Sequence, residues 1–361
     1  MVSARLDLRA LLMVLVFLHG AFAAGMVPVL NKHLGETAPW AFAGYFGAML
    51  AAQGAIYAFP RLTRHPKALG FYELLFAGAL IYMALTMTHW GFLSGRLWEG
   101  IGSGLTLPLI FAGVLRLEAW GGPEKRIAFM NSSFALGFVA GPFLVQGGGR
   151  FVATPAILLG FAALFGVSAL GVLARPVAPA LEKAALSHTP PGLARFWPLF
   201  VAKLAYGFMF SFLSGHAQAV FPDLALAWVM LGLAGVFVVV QVATTLSLKV
   251  VGVRTLLRAA PLVLAAAAAV LALTGLGAAV FLMSVGHSVL VLLGYRMLAG
   301  DKADDARTFA LYNLSTDPAL VLGALLALAG PLGGWGLVVV GLVATALPLP
   351  PPEVSSPEVA P

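Results

Sequence analysis

The amino-acid sequence predicts an all-α integral membrane protein of twelve transmembrane helices in two pseudo-symmetric six-helix bundles. Three observations carry this expectation. The 361 residues are 61% hydrophobic and only 10% charged, whereas a soluble chain carries roughly 25% charged residues. Lipid must cover a surface so poor in charge. The apolar residues gather in stretches of about 20, the length that crosses a bilayer as a helix. The basic residues fall on alternate connections between those stretches. The 41 Gly and 23 Pro agree with this, because Gly lets membrane helices approach closely and neighbouring helices satisfy the backbone groups that Pro frees.

The apolar stretches lie near residues 10–30, 40–59, 69–88, 91–115, 128–149, 153–174, 196–218, 224–248, 256–275, 277–299, 308–330 and 332–350. The first, preceded by Arg5 and Arg9 and followed by Ala21-Phe22-Ala23, also has the look of a cleavable signal segment. Its apolar run continues to Leu30, long enough to span. The divisions at His89-Trp90, Gly275-Leu276-Gly277 and Gly330-Pro331-Leu332-Gly333 are compatible with either a hairpin turn or a kink.

Charge placement orients the spans. With the N-terminus inside, the inner connections hold Arg5, Arg9, Arg61, Arg64, Lys67, Arg116, Lys125, Arg126, Arg175, Lys183, Arg195, Lys249, Arg254, Arg258, Arg296, Lys302 and Arg307. The outer connections hold only Lys32 and Arg150, and Arg96 and Lys203 fall within spans. Positive residues favour the cytoplasmic side, so both termini are expected there. The net charge of +7 is then a matter of orientation, and no nucleic-acid partner is expected. The absence of Cys excludes disulfides, thiolate catalysis and Cys-held metals. No cofactor or metal is expected.

The longest inner connection, with Pro176, Pro179, Pro190 and Pro191, divides the chain. Residues 1–175 are read as an N-terminal six-helix bundle, 176–195 as a cytoplasmic linker, 196–350 as a C-terminal six-helix bundle and 351–361 as a disordered tail. The halves repeat their punctuation. Basic clusters follow spans two and eight, very short connections join spans three to four and nine to ten, and Arg126-Ile127-Ala128-Phe129 is echoed by Arg307-Thr308-Phe309-Ala310. Duplicated halves with a site between them are a recurring build for secondary transporters.

Span four reads Gly95-Arg96-Leu97-Trp98-Glu99-Gly100-Ile101-Gly102-Ser103-Gly104, with Pro108 one turn later. It resembles the fourth-helix motif of the major facilitator superfamily, with Glu99 where that family usually has Gln. Span five reads Gly137-Phe138-Val139-Ala140-Gly141-Pro142 and is similar to the Gly-Pro motif of the family's exporters. The loop Pro60–Lys67 keeps only the basic charge of the family's usual sequence there. The resemblance implies a monomeric inner-membrane transporter, working by alternating access on a small molecule with a proton or other ion. It also implies that spans one, four, seven and ten line a central cavity. No Gly-rich loop ending in Lys-Ser or Lys-Thr is present to use ATP.

Ionisable groups inside spans are costly and are candidates for function. Glu99 and Asp317 are the proton-coupling candidates, and His19, Arg96, Lys203 and His287 the substrate-binding ones. Arg96 and Glu99 stand at i and i+3 on one helix face. They form either a self-neutralising packing pair or a carboxyl whose proton the cation tunes, since burial favours the acid and the cation favours the carboxylate. His19 and His287 either relay protons or simply bond a neighbouring carbonyl. Lys203 either snorkels to the cytoplasmic surface or anchors an anionic substrate. Asp317, followed by Pro318, either caps a second helix piece or is a second protonation site. His216 is expected at the interface. Gly100, Gly104, Gly137, Gly141 and Pro142 are structural, the first two having small-xxx-small spacing. Gln53, Gln146, Gln218, Gln241, Asn131 and Asn313 are read as interhelical hydrogen-bond formers.

Efflux by antiport is the leading functional expectation, and import of a metabolite in the same fold is the alternative. An integral membrane enzyme would need clustered acids, histidines or a nucleophile near one interface. The only loop cluster, Asp301, Asp304 and Asp305 beside Lys302 and Arg307, reads as a solvated loop.

Overall fold

The computed structural model describes residues 2–59, 61–65, 67–115, 123–148, 152–174, 196–222, 224–300 and 306–349. The expected linker 176–195, the acids Asp301, Asp304 and Asp305, and the tail 351–361 lie outside the described residues. In chain order the helices are α1 (Val2–Leu34), α2 (Ala38–Ala58), α3 (Arg61–Arg64), α4 (Ala68–Thr86), α5 (His89–Leu115), α6 (Pro123–Gly148) and α7 (Thr154–Leu173). Then come α8 (Trp197–Val220), α9 (Leu226–Val251), α10 (Val253–Thr274), α11 (Ala278–Gly300), α12 (Ala306–Thr316), α13 (Pro318–Ala327) and α14 (Gly334–Ala346). No strand occurs among the described residues.

Among the described residues, ten helical stretches are long and apolar enough to cross a membrane. The first, Ala10–Ala58, is 49 residues long and is interrupted by the 3₁₀ turn Gly35–Thr37. At 1.5 Å per residue it would extend far beyond the ~30 Å of a bilayer's hydrocarbon if it were straight. The shorter apolar stretch Gly330–Ala346 follows the last of the ten. Ala21, Phe22 and Ala23 lie within unbroken α1, with Ala21 and Phe22 buried.

Two of the ambiguous divisions are turns. Met87 closes α4 at φ 42° and Gly275 closes α10 at φ 65°, each returning its N–H to a carbonyl of the last helical turn. A left-handed residue at this place ends a helix and reverses the chain. The helices on either side then pack on each other, α4 on α5 and α10 on α11. The third division, Gly330–Gly333, is a 3₁₀ turn between α13 and α14.

Packing repeats along the chain. α1 lies against α6, α2 against α5, and α4 against α5 and α7. In the same order α8 lies against α13, α9 against α11, and α10 against α11 and α14. Glycine permits the closest of these approaches. A Cβ on Gly141 would meet the Ala21 carbonyl oxygen, and one on Gly104 the Met49 carbonyl oxygen. Gly137 and Gly100 stand one turn earlier, against Phe17 and Tyr45. Pro142 is buried within α6.

The first and second halves of the chain also meet. At one end Asn31 of α1 donates to the Ser214 carbonyl of α8 at 2.8 Å. At the same end the Ala227 N–H at the start of α9 donates to Gln146 Oε1 of α6 at 2.8 Å. At the other end the rings of Phe111 on α5 and Phe309 on α12 stand 5.6 Å apart. Trp40, Trp90, Trp228 and Trp335 are exposed at the starts of α2, α5, α9 and α14, all at the Asn31 end. Amphipathic indole rings so placed suit a membrane–water interface.

Candidate functional site

A cavity of about 240 Å³ lies between the halves, and its wall is mostly aromatic and aliphatic. His19, Arg96, Glu99, Lys203, His287 and Asp317 all line it, although they come from α1, α5, α8, α11 and the α12–α13 junction. Helical spacing puts Arg96 and Glu99 on one face of α5. The guanidinium Nη1 donates to both oxygens of Glu99, and both residues are 1% exposed. The flat cation also lies over two rings of α2, with Cζ 4.1 Å from the Tyr45 centroid and 5.1 Å from that of Phe42. Cation–π contact of this kind is favourable, more so away from water. Tyr45 in turn donates its O–H to Ser103 Oγ at 3.0 Å, back on α5. Arg96 Nε is buried without a hydrogen-bond partner.

Lys203 does not reach for the surface. Its ammonium donates to Asn313 Oδ1 at 3.0 Å, Thr316 Oγ1 at 2.8 Å and Asp317 Oδ1. An ammonium has three donors, so all three are engaged. The snorkelling expectation is therefore corrected: three oxygens spanning barely one turn hold the charge inside. Asp317 is also corrected in part. The helix does break there, between α12 and α13, but the Asp317 side chain makes no capping bond. Its carboxylate turns to Lys203 instead, because an unpaired buried ammonium would cost more than an uncapped helix start.

His287 bonds the carbonyl of Ala202, the neighbour of Lys203, through Nδ1 at 2.9 Å. A carbonyl can only accept, so Nδ1 carries the proton, and in the neutral ring Nε2 remains an acceptor. Tyr206 and Phe237 flank the ring, each centroid 5.9 Å away. His216 is only partly exposed and donates through Nε2 to the Ala327 carbonyl at 3.1 Å. His19 turns Nε2 to Glu73 Oε1 of α4 at 3.0 Å, with Phe76 and Phe165 edge-on at 4.9 and 5.1 Å.

Sequence reasoning missed Glu73, which is fully buried. It lies within two turns of the start of α4, close to the basic loop, and so reads as part of a solvated end. Gln53 was expected to bond across helices, but it is 1% exposed and neither amide atom has a hydrogen-bond partner. It lines the cavity, as do Asn131 and Asn313.

No protein-family model matches the sequence, and no curated protein matches it. Solved structures do match. The human organic anion transporter MFSD10 (TETRAN) is 19% identical with a TM-score of 0.59, covering 95% of this chain and 97% of its own. The nucleoside transporter NupG is 15% identical with a TM-score of 0.63, covering 95% of this chain and 96% of its own. A POT family transporter in complex with a thioalcohol-conjugated peptide is 14% identical with a TM-score of 0.69, covering 94% of each chain. Likeness at these identities speaks to fold, and the fold of this multi-pass, all-helical membrane protein is that of the major facilitator transporters.

Proposed function

We propose that this chain is a secondary active transporter that exports a small organic compound in exchange for protons by alternating access. The observation that supports it is the convergence of His19, Arg96, Glu99, Lys203, His287 and Asp317, all within spans, on one largely apolar cavity at the junction of the two halves. Intramembrane ionisable groups facing a cavity mark substrate and ion pathways. In this reading residues 1–175 and 196–350 are two six-helix bundles, giving twelve crossings. The break at Gly35–Thr37 divides Ala10–Ala58 into two crossings, and Gly330–Ala346 supplies the last. Both termini are cytoplasmic, the membrane is the inner one, and the protein is a monomer.

The wall chemistry supports a substrate class. Arg96 is bonded to Glu99 and Lys203 to Asp317, so neither cation is free to hold a fully anionic compound. The aromatic wall suits an amphipathic compound with apolar rings. His19, Arg96, Lys203 and His287 contact it, the His287 Nε2 lone pair serving as an acceptor. Glu99 is the leading proton carrier and Asp317 the second. Desolvation favours protonated Glu99 and Arg96 favours the carboxylate, so its proton occupancy follows the opening of the cavity. Proton and substrate then couple by one free energy, equal in both directions.

The test is Glu99→Gln in proteoliposomes, which keeps the shape and removes the charge. Transport driven by a pH gradient should be abolished, with counterflow exchange retained. Normal accumulation against a gradient in this variant would make the carboxylate structural and pass the role to Asp317.

A further inference from the structure

Three carboxylates are buried among the described residues: Glu73, Glu99 and Asp317. Two of them face a permanent cation. Glu73 faces only an imidazole. Its Oε1 lies 3.0 Å from His19 Nε2, and its Oε2 has no hydrogen-bond partner. The elements around α4 add no further bonding partner for it. α7 carries no Asp, Glu, Lys, Arg or His. α5 brings Arg96 and Glu99, bonded to each other, and His89 at its first residue. α3 brings Arg61, which is exposed, and Arg64. α1 brings His19 itself.

Counting protons on the pair shows what this surrounding does. With one proton between them, on His19 Nε2, the pair carries a negative charge, and one carboxylate oxygen of Glu73 is buried with no hydrogen-bond partner. Burying an unpaired charge is expensive. With a second proton the pair is neutral. Access is through the ring alone, since His19 lines the cavity and Glu73 does not. The transfer is balanced: a proton from the cavity adds to His19 Nδ1 as the Nε2 proton passes to Glu73 Oε1. The ring is left neutral, protonated on Nδ1, with Nε2 accepting from the new carboxylic acid. No bond other than N–H and O–H changes, and reversal returns the proton to the cavity.

We infer that Glu73 and His19 form a proton-binding site behind the cavity wall, in which Glu73 stores the proton and His19 passes it. Under the transport reading above, it is a third place for a coupled proton. The site itself stands without that reading, and its test does not use transport.

The experiment is infrared difference spectroscopy of the purified full chain in lipid nanodiscs, titrated from about pH 9 to about pH 5. A carboxylic-acid carbonyl band should grow as pH falls, shift in deuterium oxide, disappear in Glu73→Gln and persist in Glu99→Gln. His19→Gln keeps a hydrogen bond to Glu73 but cannot pass a proton. It should move the midpoint of the band and slow its deuterium shift at least tenfold. The inference is overturned if the band is unchanged in Glu73→Gln, or if the Glu73 band is constant at every pH. Should Glu73→Gln fail to fold, His19→Gln decides alone, and an unmoved midpoint with an unchanged deuterium rate overturns the inference.

Discussion

Two buried ion pairs face the same cavity from the two halves of the chain, and they are built differently. Arg96 and Glu99 stand one turn apart on α5, so any movement of that helix carries both. Their other support is the flat face of Tyr45 and Phe42 on α2. Lys203 and Asp317 lie 114 residues apart, and the lysine ties α8 to the place where α12 gives way to α13. Asn313 and Thr316 complete that tie. The first pair neutralises itself whatever the bundle does. The second is a clasp between helices, and its state depends on where those helices are.

The largest expected effect tests that difference. Removing one partner of a buried pair costs about 3–5 kcal/mol, because the other charge is left alone. Lys203→Met and Arg96→Met should each cost stability of that order, read as a lowered thermal midpoint. Only Lys203→Met should also raise backbone hydrogen exchange along α12 and α13. Equal exchange changes at both sites would erase the distinction between clasp and self-contained pair.

A smaller effect sharpens the account of Arg96. Arg96→Lys keeps the charge and loses the flat stacking surface and the forked donors. The loss should be about 1–2 kcal/mol of stability, read as a lowered melting temperature. A Lys variant as stable as the parent would show that the contacts with Tyr45 and Phe42 add nothing. The smallest effect concerns Gln53, whose buried amide has no hydrogen-bond partner. Gln53→Met, similar in shape and apolar, should leave stability unchanged or raise it by up to about 1 kcal/mol, because no hydrogen bond is lost. A clear drop in the melting temperature would show that the amide holds a bridging water.

What was legible in the sequence follows from distance along the chain. Arg96 and Glu99 are neighbours on one helix turn, so their partnership could be read directly. Asp317 before Pro318 announced a helix break for the same local reason. The partners of Lys203 and His19 were out of reach because they are 114 and 54 residues away, and helical periodicity places a residue on a face without naming the helix it meets. Glu73 was lost to its position near a helix start. His287 could be read as bonding a carbonyl, but its choice of Ala202 is a matter of how α11 lies on α8.

The hydrogen bonds from Asn31 to Ser214 and from Ala227 to Gln146 join the halves at a single end of the molecule. Any shape in which α1 parts from α8 and α6 from α9 at that end must break both. At about 1 kcal/mol each, they weight the shut arrangement of that end roughly thirtyfold. Neither bond contains an ionised group, so this weighting is indifferent to acidity and nearly indifferent to salt. A latch of two amides holds that end with nearly the same strength across acidity and salt.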